Sequence, residues 1–175
     1  NLQSIASRNV APTDSIALSL GKINGGTIAN ALAETVVLEG TLRTLSHETR
    51  QKVLNNIKRI CENVAIAYGG SAILEVTPSY PPLVNNEKMV DFVKEVAIEA
   101  LGKDKVFVNN VPSLGVEDFS YYANVVPSCF YNLGIRNDEL GINYSLHNNK
   151  FDVDENSIYY GVVIQTLSLI KWLNK

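Results

Sequence analysis

Three prolines, Pro78, Pro81 and Pro82, fall within five positions of one another, and this cluster limits the possible folds more than any other feature of the chain. Proline holds φ near −65°, lacks a backbone donor and disfavours helix at the residue before it. No helix or central strand can run through such a stretch. It is therefore read as a boundary between residues 1–82 and 83–175. A chain of 175 residues suits one ordinary domain or two small ones.

The segment before the prolines has two periodicities. Residues 15–24 alternate, with Ile16, Leu18 and Leu20 on one side, which predicts a half-buried strand that ends at Asn24-Gly25-Gly26. A second strand is expected over 35–44, with Val36, Leu38 and Leu42 inward and Glu39, Thr41 and Arg43 on the opposite face. The period then changes. Ser46 is a good N-cap for a helix over 46–68, whose apolar stripe is Val53, Leu54, Ile57, Ile60, Cys61 and Val64. Gly69-Gly70 stops it, and a third strand is predicted at 71–79 with Ala72, Leu74 and Val76 facing one way. Strand-strand-helix-strand predicts an α+β unit: an antiparallel sheet with one polar face and a helix on the other.

After the prolines helices and strands alternate. Asn86 can cap a helix with Met89, Val93, Val96, Ala97 and Ala100 as its stripe, closed by Gly102. Strands are expected at 105–109 and 128–135, with the loop Pro112-Ser113-Leu114-Gly115 and a short helix over 117–123 between them. A last helix should run from Asp154-Glu155 to Lys171, acid at its start and base at its end complementing the dipole. That order predicts part of a three-layer α/β domain.

Composition excludes several functions. The chain is 46% hydrophobic and 19% charged, enough for a packed core. A net charge of −3 without a basic patch argues against nucleic acid as a partner, and Lys58-Arg59 reads as a solvated helix face. No apolar run approaches the roughly 20 residues of a membrane-spanning helix. Cys61 and Cys129 lie far apart at apolar positions and read as free thiols in a reducing, cytoplasmic setting. The first residues show neither the charged nor the apolar region of a signal peptide. A P-loop, GxGxxG and GxSxG are all absent.

Few residues remain to carry chemistry. Of the two histidines, His47 sits in the first turn of a helix and reads as a surface residue. His147 lies in the polar loop Tyr144–Asp152, the kind of position that displays functional side chains, although a lone loop histidine taken without its context is more often plain surface. Glu117-Asp118 are either helix-start acids or active-site carboxylates. Asp152, Asp154 and Glu155 match no complete calcium loop and read as the acidic first turn of the last helix.

Three segments carry a resemblance. Ile23-Asn24-Gly25-Gly26-Thr27, Asn30 and Leu38-Glu39-Gly40-Thr41-Leu42-Arg43-Thr44 resemble the lid segment of the aminoacylase family of dinuclear metallopeptidases. Ser113-Leu114-Gly115-Val116-Glu117-Asp118-Phe119-Ser120-Tyr121 resembles the Gly-x-Glu-Asp-Phe loop of its branch of N-acyl-amino-acid amidohydrolases, hippurate hydrolases and auxin-conjugate hydrolases. Leu146-His147-Asn148-Asn149-Lys150-Phe151-Asp152 resembles the branch's His-x-x-Lys-Phe motif. All three occur in family order.

The resemblance implies a fold and a set of roles. Residues 1–82 would be a ferredoxin-like lid and dimerisation domain lacking its first strand, with Asn1–Ser7 the tail of its first helix. Residues 83–175 would be the C-terminal part of a three-layer α/β metallohydrolase domain. His147 would be a metal ligand, and Asn30 and Arg43 would bind the substrate's carboxylate. The intact enzyme would hold two divalent ions (Zn, Mn, Co or Ni), activate water on them, hydrolyse N-acyl amino acids or small peptides, and dimerise through the lid. The upstream motifs with the other ligands and the general-base Glu lie outside these residues, so the 175 residues alone are expected to hold no catalytic metal and to be inert. Two departures from the family pattern stand out: Ala31-Leu32-Ala33-Glu34 replaces Val-Ile-Pro-Asp, and Val116 replaces a small residue. The alternative is a non-catalytic small-molecule-binding or dimerisation module.

Overall fold

The computed structural model describes residues 1–174. They form two compact units: Asn1–Pro82 with Val111–Asp118, and Leu83–Asn110 with Phe119–Lys175. Residues 111–118 lie past the proline cluster yet pack with the first unit.

In the first unit, strands β1 (Ile16–Gly25) and β2 (Val36–Thr44) make a two-stranded antiparallel sheet. Ile16 stands opposite Thr44 at one end and Gly25 opposite Val36 at the other, with an irregularity between Leu20 and Lys22. Gly21 is the unpaired extra residue, so this is a β-bulge. Across from it only glycine fits at position 40, because a Cβ there would collide with the Ser19 carbonyl oxygen. A short helix α1 (Ser4–Arg8) precedes β1, and helix α2 (His47–Ala67) follows β2.

Local chemistry sets both ends of α2. The Ser46 hydroxyl accepts from Thr49 N at 3.1 Å, and the Thr49 hydroxyl donates to Asp14 Oδ2 at 3.0 Å. The cap thereby ties the helix start to the turn before β1. At the other end Gly69 takes φ 76° and Gly70 N donates to Ala65 O at 2.9 Å, a Schellman-type stop. The stripe of α2 covers one sheet face. Ile5, Val53 and Ile57 are its buried centre, and Ile16, Leu18, Leu42, Leu54, Ile60, Cys61 and Leu74 pack around them. Each fully buried aliphatic side chain contributes about 1.5–3 kcal/mol.

The sheet is covered over only half its length. Leu20, Val36 and Leu38, expected inward, are exposed, Leu38 by 54%. The alternation assigns them to the right face, but α2 does not reach that end of the hairpin. The strand predicted at 71–79 is also absent. Ala72 and Leu74 are half-buried and Leu74 joins the core, yet no ladder pairs this segment. Alternation decides which side chains face in; a strand also needs a neighbour's backbone.

In the second unit, helices α3 (Glu87–Leu101) and α5 (Asn156–Leu173) pack together. Phe92, Val96, Ala97 and Ile164 are buried, and the Phe92 and Trp172 rings meet edge to face at 5.4 Å. Glu99 and Lys171 form an ion pair between the two helices. Asn86 caps α3 by accepting from Met89 N at 3.3 Å. Helix α4 (Ser120–Ala123) is shorter than the predicted 117–123, and a 3₁₀ turn occupies Lys103–Lys105.

The strands expected at 105–109 and 128–135 form no ladder. The second keeps the alternation, with Tyr131, Leu133 and Ile135 half-buried and Asn132 and Gly134 exposed. In place of a neighbouring strand, the Asn85 side chain acts as a peptide group. Its Nδ2 donates to Phe130 O at 2.8 Å and its Oδ1 accepts from Phe130 N at 2.7 Å. No described helix is long and apolar enough to cross a membrane.

Candidate functional site

A tight turn leads into the segment that bears His147. Asn137 and Ile142 exchange backbone hydrogen bonds at 2.9 and 2.8 Å around a turn with Gly141 at φ 73°. Farther out, Asn148 N donates to Ser145 O at 3.2 Å and Phe151 N to Asn148 O at 3.0 Å. The Asn148 Oδ1 accepts from Lys150 N at 2.9 Å, and the Lys150 ammonium lies 5.5 Å from the Tyr144 ring centroid. His147 is the third residue of the Ser145–Asn148 turn, at φ 68°, alone among the described non-glycine residues in having a positive φ. That conformation costs an L-residue roughly 1–2 kcal/mol and persists where surrounding bonds impose it. Its side chain is exposed.

The base of the segment is a polar knot. Asn137 Nδ2 donates to Asp154 Oδ2 at 2.7 Å, and Asp154 N donates to Ile135 O at 3.0 Å. Asp154 Oδ1 accepts from Asn156 N at 3.0 Å and Asn156 Nδ2 at 2.9 Å. These bonds, the one from Asn137 foremost, hold the Asp154 carboxyl below the usual carboxylate range. Nothing local in the sequence pointed to Asn137. Asp154 reads in the sequence as an acidic first turn; in the structure it precedes α5 and makes an Asx turn with Asn156 N.

The substrate-binding candidates lie in the first unit. Arg43 is exposed, on the face away from Leu42 and α2. Its Nη1 donates to the Leu114 carbonyl at 3.1 Å, across 71 residues of chain. Arg43 is thus brought to the 111–118 loop, where Gly115 N donates to Ser113 Oγ at 3.0 Å. Glu117 in the same loop is half-buried and Asp118 is exposed. Asn30 is elsewhere. It lies in the loop beyond Gly25 and Val36, whereas Arg43 pairs with Ala17 near the other end of the hairpin. The seven strand steps from Val36 to Arg43 span roughly 23 Å, so the hairpin does not hold the two side by side.

Cys61 and Cys129 are free thiols, and burial pushes the Cys129 thiol up, away from a reactive thiolate. Among the described residues no three His, Cys, Asp or Glu side chains gather as a metal site would require. A catalytic zinc site uses about three protein ligands. The imidazole of His147 is exposed and could serve as one such ligand.

Residues 9–169 match peptidase family M20/M25/M40. The chain is 32% identical over 178 residues to an "IAA-amino acid hydrolase ILR1-like 6" of Arabidopsis thaliana, covering 99% of this chain and 38% of the relative. It is 36% identical over 157 residues to an N-acetyl-L-cysteine deacetylase of Bacillus subtilis, covering 90% of this chain and 36% of the relative. The solved structure of a B. subtilis dinuclear metal-binding peptidase of the M20 family superposes with a TM-score of 0.73 at 28% identity, over 89% of this chain and 41% of that one. The chain therefore spans about two-fifths of the length of the proteins it matches.

Proposed function

This chain belongs to peptidase family M20/M25/M40, and on that premise we propose that it is part of a metal-dependent hydrolase acting on the amide bond of N-acyl amino acids or small peptides. The observation that carries the reading is His147, an exposed imidazole held at positive φ on a braced loop. It would be one ligand of a site whose other ligands come from chain outside these residues. Bound there, divalent ions would supply a Lewis acid and a water of lowered pKa. His147 itself contributes a neutral nitrogen donor, which suits Zn, Mn, Co or Ni alike.

Arg43 is the proposed reader of the substrate's carboxylate. A guanidinium fork meets a carboxylate with two parallel hydrogen bonds and so fixes the register of the scissile amide. Its contact with Leu114 O leaves donors for such a partner. Asn30, on the far loop, adds an amide donor only when that loop approaches the carboxylate.

Uncovered surfaces support a larger enzyme. The α5 stripe Ile158, Val162, Leu169 and Leu173 is exposed, Leu173 by 73%, and the alternating 128–135 segment has no strand beside it. Helices apolar on two faces normally lie between layers. We place residues 83–175 in the three-layer catalytic domain and residues 1–82 in a lid. The bare end of the hairpin, with Ile23, Val36, Val37 and Leu38 exposed, is the proposed surface of a homodimer. The free thiols suit a reducing cytoplasm.

Two substitutions in the intact enzyme test the reading. His147→Ala should lower metal content and abolish turnover; unchanged stoichiometry with full activity sinks the assignment. On a substrate with a free carboxylate, Arg43→Ala should cost roughly 2–5 kcal/mol in kcat/KM where binding desolvates the pair and little where the pair stays in solvent; on the methyl ester the loss should be far smaller. Equal losses on both would mean that Arg43 holds the 111–118 loop and does not read substrate.

A further inference from the structure

The reading of His147 as a metal ligand leaves open what holds it in a backbone conformation that an L-residue resists. The Asn148 N to Ser145 O bond closes the turn that places it there, and hydrogen bonds at the base of the loop tie together the two ends of the segment that carries this turn. The Asn137–Asp154 contact joins two points 17 residues apart at 2.7 Å, with His147 between them. Both side chains make further bonds. Asn137 Oδ1 accepts from Glu139 N at 3.1 Å and Leu140 N at 3.2 Å, which shapes the outgoing turn. Asp154 Oδ1 accepts from Asn156 N at 3.0 Å, which fixes the start of α5. The Asp154 N to Ile135 O bond at 3.0 Å closes the same ring through the backbone.

We propose that Asn137 and Asp154 are positioning residues that clamp the stem of the His147 loop and set the affinity of the metal that His147 binds. This rests on the reading of His147 given above. The clamp joins an amide donor on one stem to a carboxylate acceptor on the other, and the two groups complement each other in either order. When the two side chains are exchanged, the carboxylate now at position 137 still accepts from Glu139 N and Leu140 N. The amide now at position 154 still donates across the stem and accepts from Asn156. Each single exchange breaks the match. Asn137→Asp sets two carboxylates face to face, and Asp154→Asn asks one oxygen to serve both Asn137 and Asn156.

The experiment uses the intact metal-free enzyme and Zn²⁺, with affinity read by competition against a chromophoric chelator at fixed pH and temperature. Wild type is compared with Asn137→Asp, Asp154→Asn, the double exchange and His147→Ala, and the apoprotein Tm of each is recorded beside it. Removing a partner bonded directly to a metal ligand costs about 10–100-fold in metal affinity; the stem pair acts on His147 through the loop, so a loss near the low end, about 10-fold, is expected. Each single exchange should show it and the double exchange should recover to within a few fold. A purely architectural pair would move the apoprotein Tm and leave affinity unchanged. Wild-type affinity in both single exchanges, with affinity lost in His147→Ala, overturns the clamp alone. Wild-type affinity in His147→Ala as well overturns the ligand assignment with it. Failure of the double exchange to recover shows that the pairing across the stem is not what sets affinity.

Discussion

The two units are held together differently. In the first, a 21-residue helix lies on a hairpin, and the buried centre Ile5, Val53 and Ile57 is entirely aliphatic. In the second, the α3–α5 pair packs, and elsewhere in the unit polar side chains bond to backbone and to one another. Asn85 stands in for a strand beside Phe130, and Asn137 with Asp154 closes the His147 loop. Apolar packing is non-directional and adaptable; amide and carboxylate bonds fix angles. The contrast suits the proposed roles, since a lid must cover and a ligand-bearing loop must aim.

Three measurements can sharpen or break this contrast, each by amide hydrogen exchange, which reads the units separately. The largest effect is expected from Ile57→Ala. It should cost about 2–5 kcal/mol, lost from the protection of α2 and β1 and not from α3 or α5. Ile158→Ala, on the exposed stripe of α5, serves as its counterpart. It should stay within about 0.5 kcal/mol where that face is bare, and a larger loss in the intact enzyme would locate the layer that covers it. Loss of protection in both units from Ile57→Ala would show that they unfold as one.

Next comes Asn85→Ala, which removes both bonds to Phe130. At about 0.5–1.5 kcal/mol per net hydrogen bond, roughly 1–3 kcal/mol of protection should vanish at the Phe130 amide and its neighbours. An unaltered Phe130 amide would mean that another group holds this segment.

The smallest effect concerns acid. The Asp154 carboxyl is held below its usual range, chiefly by Asn137. Its bonds therefore stabilise the folded loop at neutral pH, and that contribution fades as pH falls below the ordinary carboxylate range. Amides of the 137–156 segment should lose protection in acid more steeply in wild type than in Asp154→Asn. Parallel acid limbs would remove Asp154 from the clamp.

Much of this was written in short-range patterns. The helices α2 and α3 follow from stripes at three- and four-residue spacing, and Ser46 and Asn86 cap them as expected, because a cap is a bond to the amide three residues on. The hairpin followed from alternation broken at Asn24-Gly25-Gly26. Membership of the family followed from three short motifs in order, since each depends on residue identity within a single loop or strand. Tertiary structure alone decided the rest. Segments 71–79 and 128–135 alternate like strands, but a ladder requires a second backbone, and whether one lies alongside is not encoded in the segment itself. The bonds from Arg43 to Leu114 and from Asn137 to Asp154 join residues 71 and 17 positions apart. Contacts over such separations follow from the folded path of the chain and leave no period or local motif to read.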